Sequence, residues 1–171
     1  MQDLIDPLVE LVRLTSTDLP HDIERALKNA LSTEKKGSSA ASVLEAILEN
    51  IKVARSESTP VCQDTGTPLF FITHPTGWST AELREQVRRA VARATESRFL
   101  RPNAVNTVTG ENSGNNLGGE FFPAIHFEEH EKDALVVDLI LKGGGSENVS
   151  AQYSLPDRML DAGRDLEGVY R

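Results

Sequence analysis

The chain has 171 residues, one cysteine and a formal net charge of −8. That length suits one domain whose core needs no staple, and a single cysteine excludes an internal disulfide. The acidic balance excludes a general nucleic-acid binder, because no surplus of Lys and Arg is left to neutralise phosphates. No apolar run reaches the length of a membrane span, and the first residues lack the basic-then-apolar order of a signal peptide, so the reading is a soluble, cytoplasmic protein.

Residues 1–55 read as three helices. Leu4, Leu8, Leu11 and Val12 recur at helical spacing, with Ile5 and Val9 widening the stripe. Asp18-Leu19-Pro20 breaks the pattern and opens a second helix, which carries Ile23, Ala26, Leu27, Ala30 and Leu31 on one face. Lys35-Lys36-Gly37 supplies its stop, cations near the negative helix end followed by glycine. Ser38 or Ser39 caps a third helix with the face Val43, Leu44, Ile47, Leu48, Ile51 and Ala54. The three form a packing module without evident chemistry.

A polar break, Ser56-Glu57-Ser58-Thr59-Pro60, then delivers Pro60-Val61-Cys62-Gln63-Asp64-Thr65-Gly66-Thr67. A thiol followed closely by a carboxylate and a glycine, on a bend into a strand, can bind a metal or act as a nucleophile. The plainer alternative is a half-buried structural cysteine beside an Asx-type turn. Leu69-Phe70-Phe71-Ile72 reads as a buried strand and His74-Pro75-Thr76-Gly77 as a turn. Ser79-Thr80-Ala81-Glu82 has capping-box spacing and starts a helix to Ser97, lined by Leu83, Val87, Ala90, Val91 and Ala94. Its arginines Arg84, Arg88, Arg89 and Arg93 read as a solvated face paired with nearby Glu.

Leu100-Arg101-Pro102-Asn103 ends that helix, since proline disfavours helical geometry in the residue before it. The long Asn- and Gly-rich stretch that follows, 106–119, is either disordered or functional, and its amides can donate to an oxyanion without adding charge. Phe121 to Glu128 and Leu135 to Leu141 read as strands, with a hairpin as their natural pairing. Lys142-Gly143-Gly144-Gly145-Ser146-Glu147-Asn148 brings bare backbone N–H groups close to something. A phosphate or a carboxylate is the usual ligand of such a nest, and if Ser146-Glu147-Asn148 opens a helix the site is also at its positive end; a flexible hinge is the alternative. Neither G-x-x-x-x-G-K-[ST] nor G-x-G-x-x-G is present. Leu155 to Arg171 reads as a helix or linker, and His21, His74, His126 and His130 form no metal-ligand spacing.

These elements predict an α+β fold. An N-terminal helical module packs on a small, mostly antiparallel sheet with one covering helix, 79–97. The whole of 1–171 is taken as a single domain: helical module 1–55, sheet-containing half with the site loops 56–150, tail or linker 151–171. The Cys62 loop, the Asn-rich loop and the triple glycine should meet at one edge.

The Cys62 stretch, Leu100-Arg101-Pro102-Asn103 with Glu111-Asn112-Ser113-Gly114-Asn115-Asn116, and Lys142 to Asn148 occur in an order and at separations that belong together. They resemble the alpha region of the class I, iron–sulfur-dependent fumarate hydratases and the related L-tartrate dehydratases, over nearly the whole chain but only the first part of that region. The resemblance implies a hydro-lyase acting on fumarate and malate, or converting L-tartrate to oxaloacetate. In that family a [4Fe–4S] cluster is held by three cysteines, and its open iron acts as a Lewis acid on the substrate hydroxyl. By this resemblance Cys62 is the first cluster ligand, Asp64 assists proton transfer and Gln63 hydrogen-bonds the substrate. Arg101 clamps a substrate carboxylate, and Gly144 offers backbone N–H to its other end.

One thiolate cannot hold a cubane cluster. The implied partners are therefore the remaining alpha region, carrying two more cluster cysteines, and a beta region or beta subunit, in an oligomer. The chain alone is then catalytically silent. The rival reading is a non-catalytic assembly or interaction module that kept the fold without the cluster. A simple anion-binding domain built on the glycines leaves the Cys62 loop unexplained.

Overall fold

A computed structural model of the chain describes residues 3–106, 108–119, 122–144 and 155–170. Along it run α1 (Ile5–Thr17), α2 (His21–Thr33), α3 (Ser39–Glu57), β1 (Thr67–Pro75), α4 (Thr80–Glu96), β2 (Ala124–His130), β3 (Val136–Lys142) and a short α5 (Leu166–Tyr170). The fold is α+β. Among the described residues no helix is long and apolar enough to cross a membrane.

The local signals for helix starts act as their chemistry requires. Ser38 Oγ accepts the Ala41 N–H at 3.1 Å, and Ser79 Oγ accepts the Glu82 N–H at 3.3 Å, each satisfying a donor that the first turn leaves open. The stop of α2 comes earlier than Lys35-Lys36-Gly37. Ser32 and Thr33 turn their hydroxyls back onto the carbonyls of Asn29 and Ala30, and Glu34 is already extended. Gly37, at φ +79°, serves the turn into α3.

The sheet corrects the expected hairpin. Its order is β2-β1-β3, with β1 parallel to β2 (Phe70 opposite Ile125) and antiparallel to β3 (Phe70 opposite Leu139). The antiparallel pairing is therefore one of two. β1, α4 and β2 form a strand–helix–strand crossover, the connection a parallel pair demands. The short link 131–135 does not turn β2 back on itself; it passes across the end of β1. Two strand spacings are only about 10 Å, within reach of five residues. His130 stiffens the link, accepting the Lys132 N–H at Nδ1 and donating from Nε2 to the Ala134 carbonyl. Placing β1 centrally pairs both edges of the most buried strand, which as an edge would invite association.

One face of this sheet is covered. Phe70 and Ile72 of β1 pack with Ile5, Leu8 and Val12 of α1 and with Leu83, Val87, Ala90, Val91 and Ala94 of α4. The cover is thus two helices, α1 as well as α4, pinned where Gln86 Oε1 accepts the Leu4 N–H. The opposite face is open, and the run read as a buried strand is buried on one side only: Phe71 is 40% exposed and Ile140 53%. The module 1–55 divides accordingly. α1 belongs to the core, whereas α2 pairs with α3 and buries none of its residues.

The arginines of α4 partly depart from pairing with Glu. Arg93 reaches Asp6 of α1 at 2.6 Å, and Arg84 lies 5.3 Å over the Phe127 ring. In place of a long helix, the tail has an isolated bridge between Asp157 and Ala162 and then α5. Phe121, Gly145 and the helix start expected at Ser146-Glu147-Asn148 lie outside the described residues.

Candidate active site

The Cys62 loop is strung between the helices and the sheet. Val61 donates its N–H to the Ser16 carbonyl at the end of α1 (2.9 Å) and accepts Asn50 Nδ2 of α3 at its own carbonyl (2.8 Å). Beyond the thiol, Asp64 Oδ1 accepts the Gly66 N–H at 3.2 Å, the Asx-type turn that its side chain favours. Gly66 is left-handed, at φ +72°, and a Cβ there would stand 2.2 Å from the Lys142 carbonyl oxygen. At Gly143 a Cβ would stand 3.0 Å from Asp64 Oδ2. The close approach expected of the glycines therefore occurs between the two motifs themselves, at Gly66 and Gly143. Gly144 has open space beside it.

The segment Arg101-Pro102-Asn103 closes the third side. It belongs to no helix or named strand, so its main-chain groups are satisfied by side chains. The Arg101 N–H donates to Thr65 Oγ1 (3.0 Å), and the Arg101 carbonyl accepts Asn116 Nδ2 (2.7 Å). The Pro102 carbonyl accepts Asn112 Nδ2 (2.8 Å), and the Asn103 N–H donates to Asn116 Oδ1 (2.6 Å). Asn103 Nδ2 in turn donates to Thr65 Oγ1 and the Gly66 carbonyl. Asn106 and Asn115 accept backbone N–H groups of their own loop. Of the amides read as oxyanion donors, those of Asn112 and Asn116 give their N–H groups to the neighbouring backbone, while Asn106 and Asn115 use their oxygens to build the loop.

The outcome is one open cleft of about 500 Å³ lined by Gln63, Asp64, Gly66, Thr67, Arg101, Asn103 and Gly144. Cys62 is exposed and lies beside this cleft. It lines an adjoining hollow of about 410 Å³ that shares Gln63 and Arg101 with the cleft and adds Arg98. So the structure brings Gln63, Asp64, Arg101 and Gly144 onto one surface and puts the thiol around its corner. Among the described residues no ion pair engages Arg101. A further hollow of about 420 Å³ beside Asn106, Glu111 and Leu117 contains neither the thiol nor the arginine. The histidines stand apart: His74 is buried in the core, His126 stacks on Phe71 on the open face, and His130 is the last residue of β2.

The donor set does not hold a cluster by itself. Cys62 is the one cysteine, and among the described residues no three His, Cys, Asp or Glu gather around a common point. An exposed thiol at a rim is one donor of several that a cubane requires.

Thr65, Thr67, Asn103 and Asn116 stand within the quoted motifs, but the sequence assigned none of them a site role of its own. For Asn116 the available signal was Pro102: a segment that lacks an N–H and cannot continue a helix needs partners from elsewhere, and an Asn-rich stretch follows it.

A family model described as fumarate hydratase (Fumerase) matches residues 5–171. The chain is 47% identical over 172 aligned residues to "Putative fumarate hydratase class I" of Geobacillus stearothermophilus, covering 99% of this chain and 33% of that protein. It is 36% identical to "Putative L(+)-tartrate dehydratase subunit alpha" of Methanocaldococcus jannaschii, covering 96% and 57%. Against the L(+)-tartrate dehydratase subunit alpha of Escherichia coli K12 the identity is 28%, covering 99% and 56%. The chain thus spans between a third and somewhat over half of these relatives.

Proposed function

The chain belongs to the fumarate hydratase family, and on that premise we propose that it is part of a hydro-lyase that adds water to, or removes it from, a small dicarboxylate. The substrate pair is fumarate and malate, or L-tartrate and oxaloacetate. The observation that carries the reading is the cleft, where Gln63, Asp64, Arg101 and Gly144 converge from three separate stretches of chain.

Their chemistry matches the reaction's demands. Eliminating water from a 2-hydroxy dicarboxylate removes hydroxide from one carbon and a weakly acidic proton from its neighbour. Arg101 presents a planar fork that suits a carboxylate in two-point contact. Gly144 offers backbone N–H without a side chain in the way. Gln63 supplies a neutral donor and acceptor for orientation. Asp64, on the same wall, takes part in moving the proton. Cys62 would contribute one thiolate to a [4Fe–4S] cluster that other polypeptide completes.

The 171 residues then act as one domain of a cytoplasmic alpha region, and the balance of that region and a beta region or subunit are the partners. The test is anaerobic production of the complete polypeptide. Fumarate hydration and L-tartrate dehydration are assayed alongside the cluster's visible absorbance. Cys62→Ala should abolish both absorbance and turnover, and Arg101→Lys should raise KM at least tenfold. Unchanged turnover in Cys62→Ala, or a cluster-loaded protein that processes neither acid, overturns the proposal and favours a non-catalytic assembly module.

A further inference from the structure

We propose that Thr65 and Asn116 are positioning residues of this cleft. The Thr65 hydroxyl and the Asn116 carboxamide hold the backbone of Arg101 to Asn103 against the Cys62 loop, so that the guanidinium and the Asp64 carboxylate are presented at a fixed separation. The inference rests on the hydro-lyase reading above.

Three observations carry it. First, the Arg101 side chain is exposed and, among the described residues, makes no ion pair that would steer it, so its aim is set by its backbone. That backbone has no ladder of its own, and among the described residues its hydrogen bonds at Arg101 run to Thr65 and Asn116.

Second, Asn116 is 0% exposed and left-handed, at φ +58°. Glycine would meet that backbone demand equally well. Asparagine adds an amide that spans Pro102: its Oδ1 takes the Asn103 N–H, and its Nδ2 gives to the Arg101 carbonyl and to Thr95 Oγ1 of α4. Exchanging Oδ1 and Nδ2 would set donor against donor at Asn103 and acceptor against acceptor at Arg101, so the network dictates the orientation. Through Thr95 the amide also ties the segment to the buried helix.

Third, Thr65 is 6% exposed and adjoins Asp64. Its hydroxyl accepts from both the Arg101 N–H and Asn103 Nδ2, linking the acid's loop to the cation's segment. Loss of such support displaces a binding group by around an ångström, which is enough to cost affinity or rate.

The experiment is a double-mutant cycle on the complete, cluster-loaded enzyme, with cluster absorbance and thermal midpoint as controls. Thr65→Val keeps the shape and deletes the acceptor. It should raise KM for the dicarboxylate about tenfold with kcat changed less than about threefold, and Thr65→Ser should restore KM to within about twofold. In an Arg101→Ala background the same Thr65→Val should add less than about twofold, because the group it aims is gone. An equal factor in both backgrounds, or no change in KM from Thr65→Val, overturns the proposal while leaving the hydro-lyase reading intact. KM untouched by Arg101→Ala removes the reading itself, and this inference with it. Should Thr65→Val fail to fold, Asn116→Gly takes its place in the cycle; failure of both to fold assigns these residues to the fold and overturns positioning.

Discussion

Two helices with similar apolar stripes meet opposite fates. α4 buries Leu83, Val87, Ala90, Val91 and Ala94 against β1 and α1, whereas α2 buries nothing and leaves Ile23 46% exposed. The α2–α3 pair carries a surface charge network instead: Arg55 of α3 reaches Glu24 of α2 at 2.8 Å and Asp18 of the α1–α2 link at 2.6 Å, and Lys28 holds Glu24 within α2. The first contact is fully buried, whereas the second is half-buried at Leu27 and Leu31 and edged by charge. The Cys62 loop is fastened to both, at Ser16 of α1 and Asn50 of α3. The thiol therefore sits at the seam between a buried unit and a surface-lying one.

The sharpest way to break this contrast is to empty the core. Phe70 is fully buried in the central strand, and Phe70→Ala should cost about 3–5 kcal/mol, read as a lower denaturation midpoint with the whole chain unfolding together. A loss below about 1 kcal/mol would mean that the sheet face is not the main source of stability.

The next effect belongs to the meeting of the two motifs. Gly66→Ala sets a Cβ 2.2 Å from the Lys142 oxygen at a left-handed backbone, so about 2–4 kcal/mol should be lost. Amide signals of Lys142 and Gly143 should shift while those of α4 stay in place. Perturbation spread evenly over the chain would deny that the strain is local.

The smallest effect concerns the charged hairpin. Hydrogen bonds from Lys28 and then Arg55 hold the Glu24 carboxyl down at about 2, from an ordinary 4.5, and Arg55 likewise lowers Asp18. Because the folded carboxyl titrates below the unfolded one, its contribution is complete above pH 4.5 and is lost as the pH falls toward 2. Hydrogen exchange in α2 and α3 should quicken across that interval while α1 and α4 keep their protection. Glu24→Gln should flatten the response, and added salt should weaken it. Equal acid sensitivity in both units would mean that charge contributes no more to the α2–α3 pair than to the core.

Local chemistry was legible in the sequence and distant pairing was not. Ser38 and Ser79 announced their helices because a cap is settled within four residues, and the apolar spacing of α4 picked out the residues it buries. The site residues were legible as motifs whose convergence depends on packing. The order β2-β1-β3 was hidden because a five-residue link looks the same whether it reverses on a neighbour or steps over a strand. The strand–helix–strand order at β1, α4 and β2 was the available counter-signal. The amides of Asn112 and Asn116 illustrate the same limit, since composition records a donor without its direction. Only the placement of Pro102 and its flanks assigns them to the backbone beside Arg101.

The contact of Gly66 with Lys142 also sets a timetable. During synthesis the helices and the thiol loop leave the ribosome first, and β1 waits with both edges bare until β2 and then β3 arrive. The cleft gains its last wall, at Gly143 and Gly144, only when β3 docks, so a nascent chain halted before Lys142 holds its sulfur in a hollow that lacks the adjoining cleft.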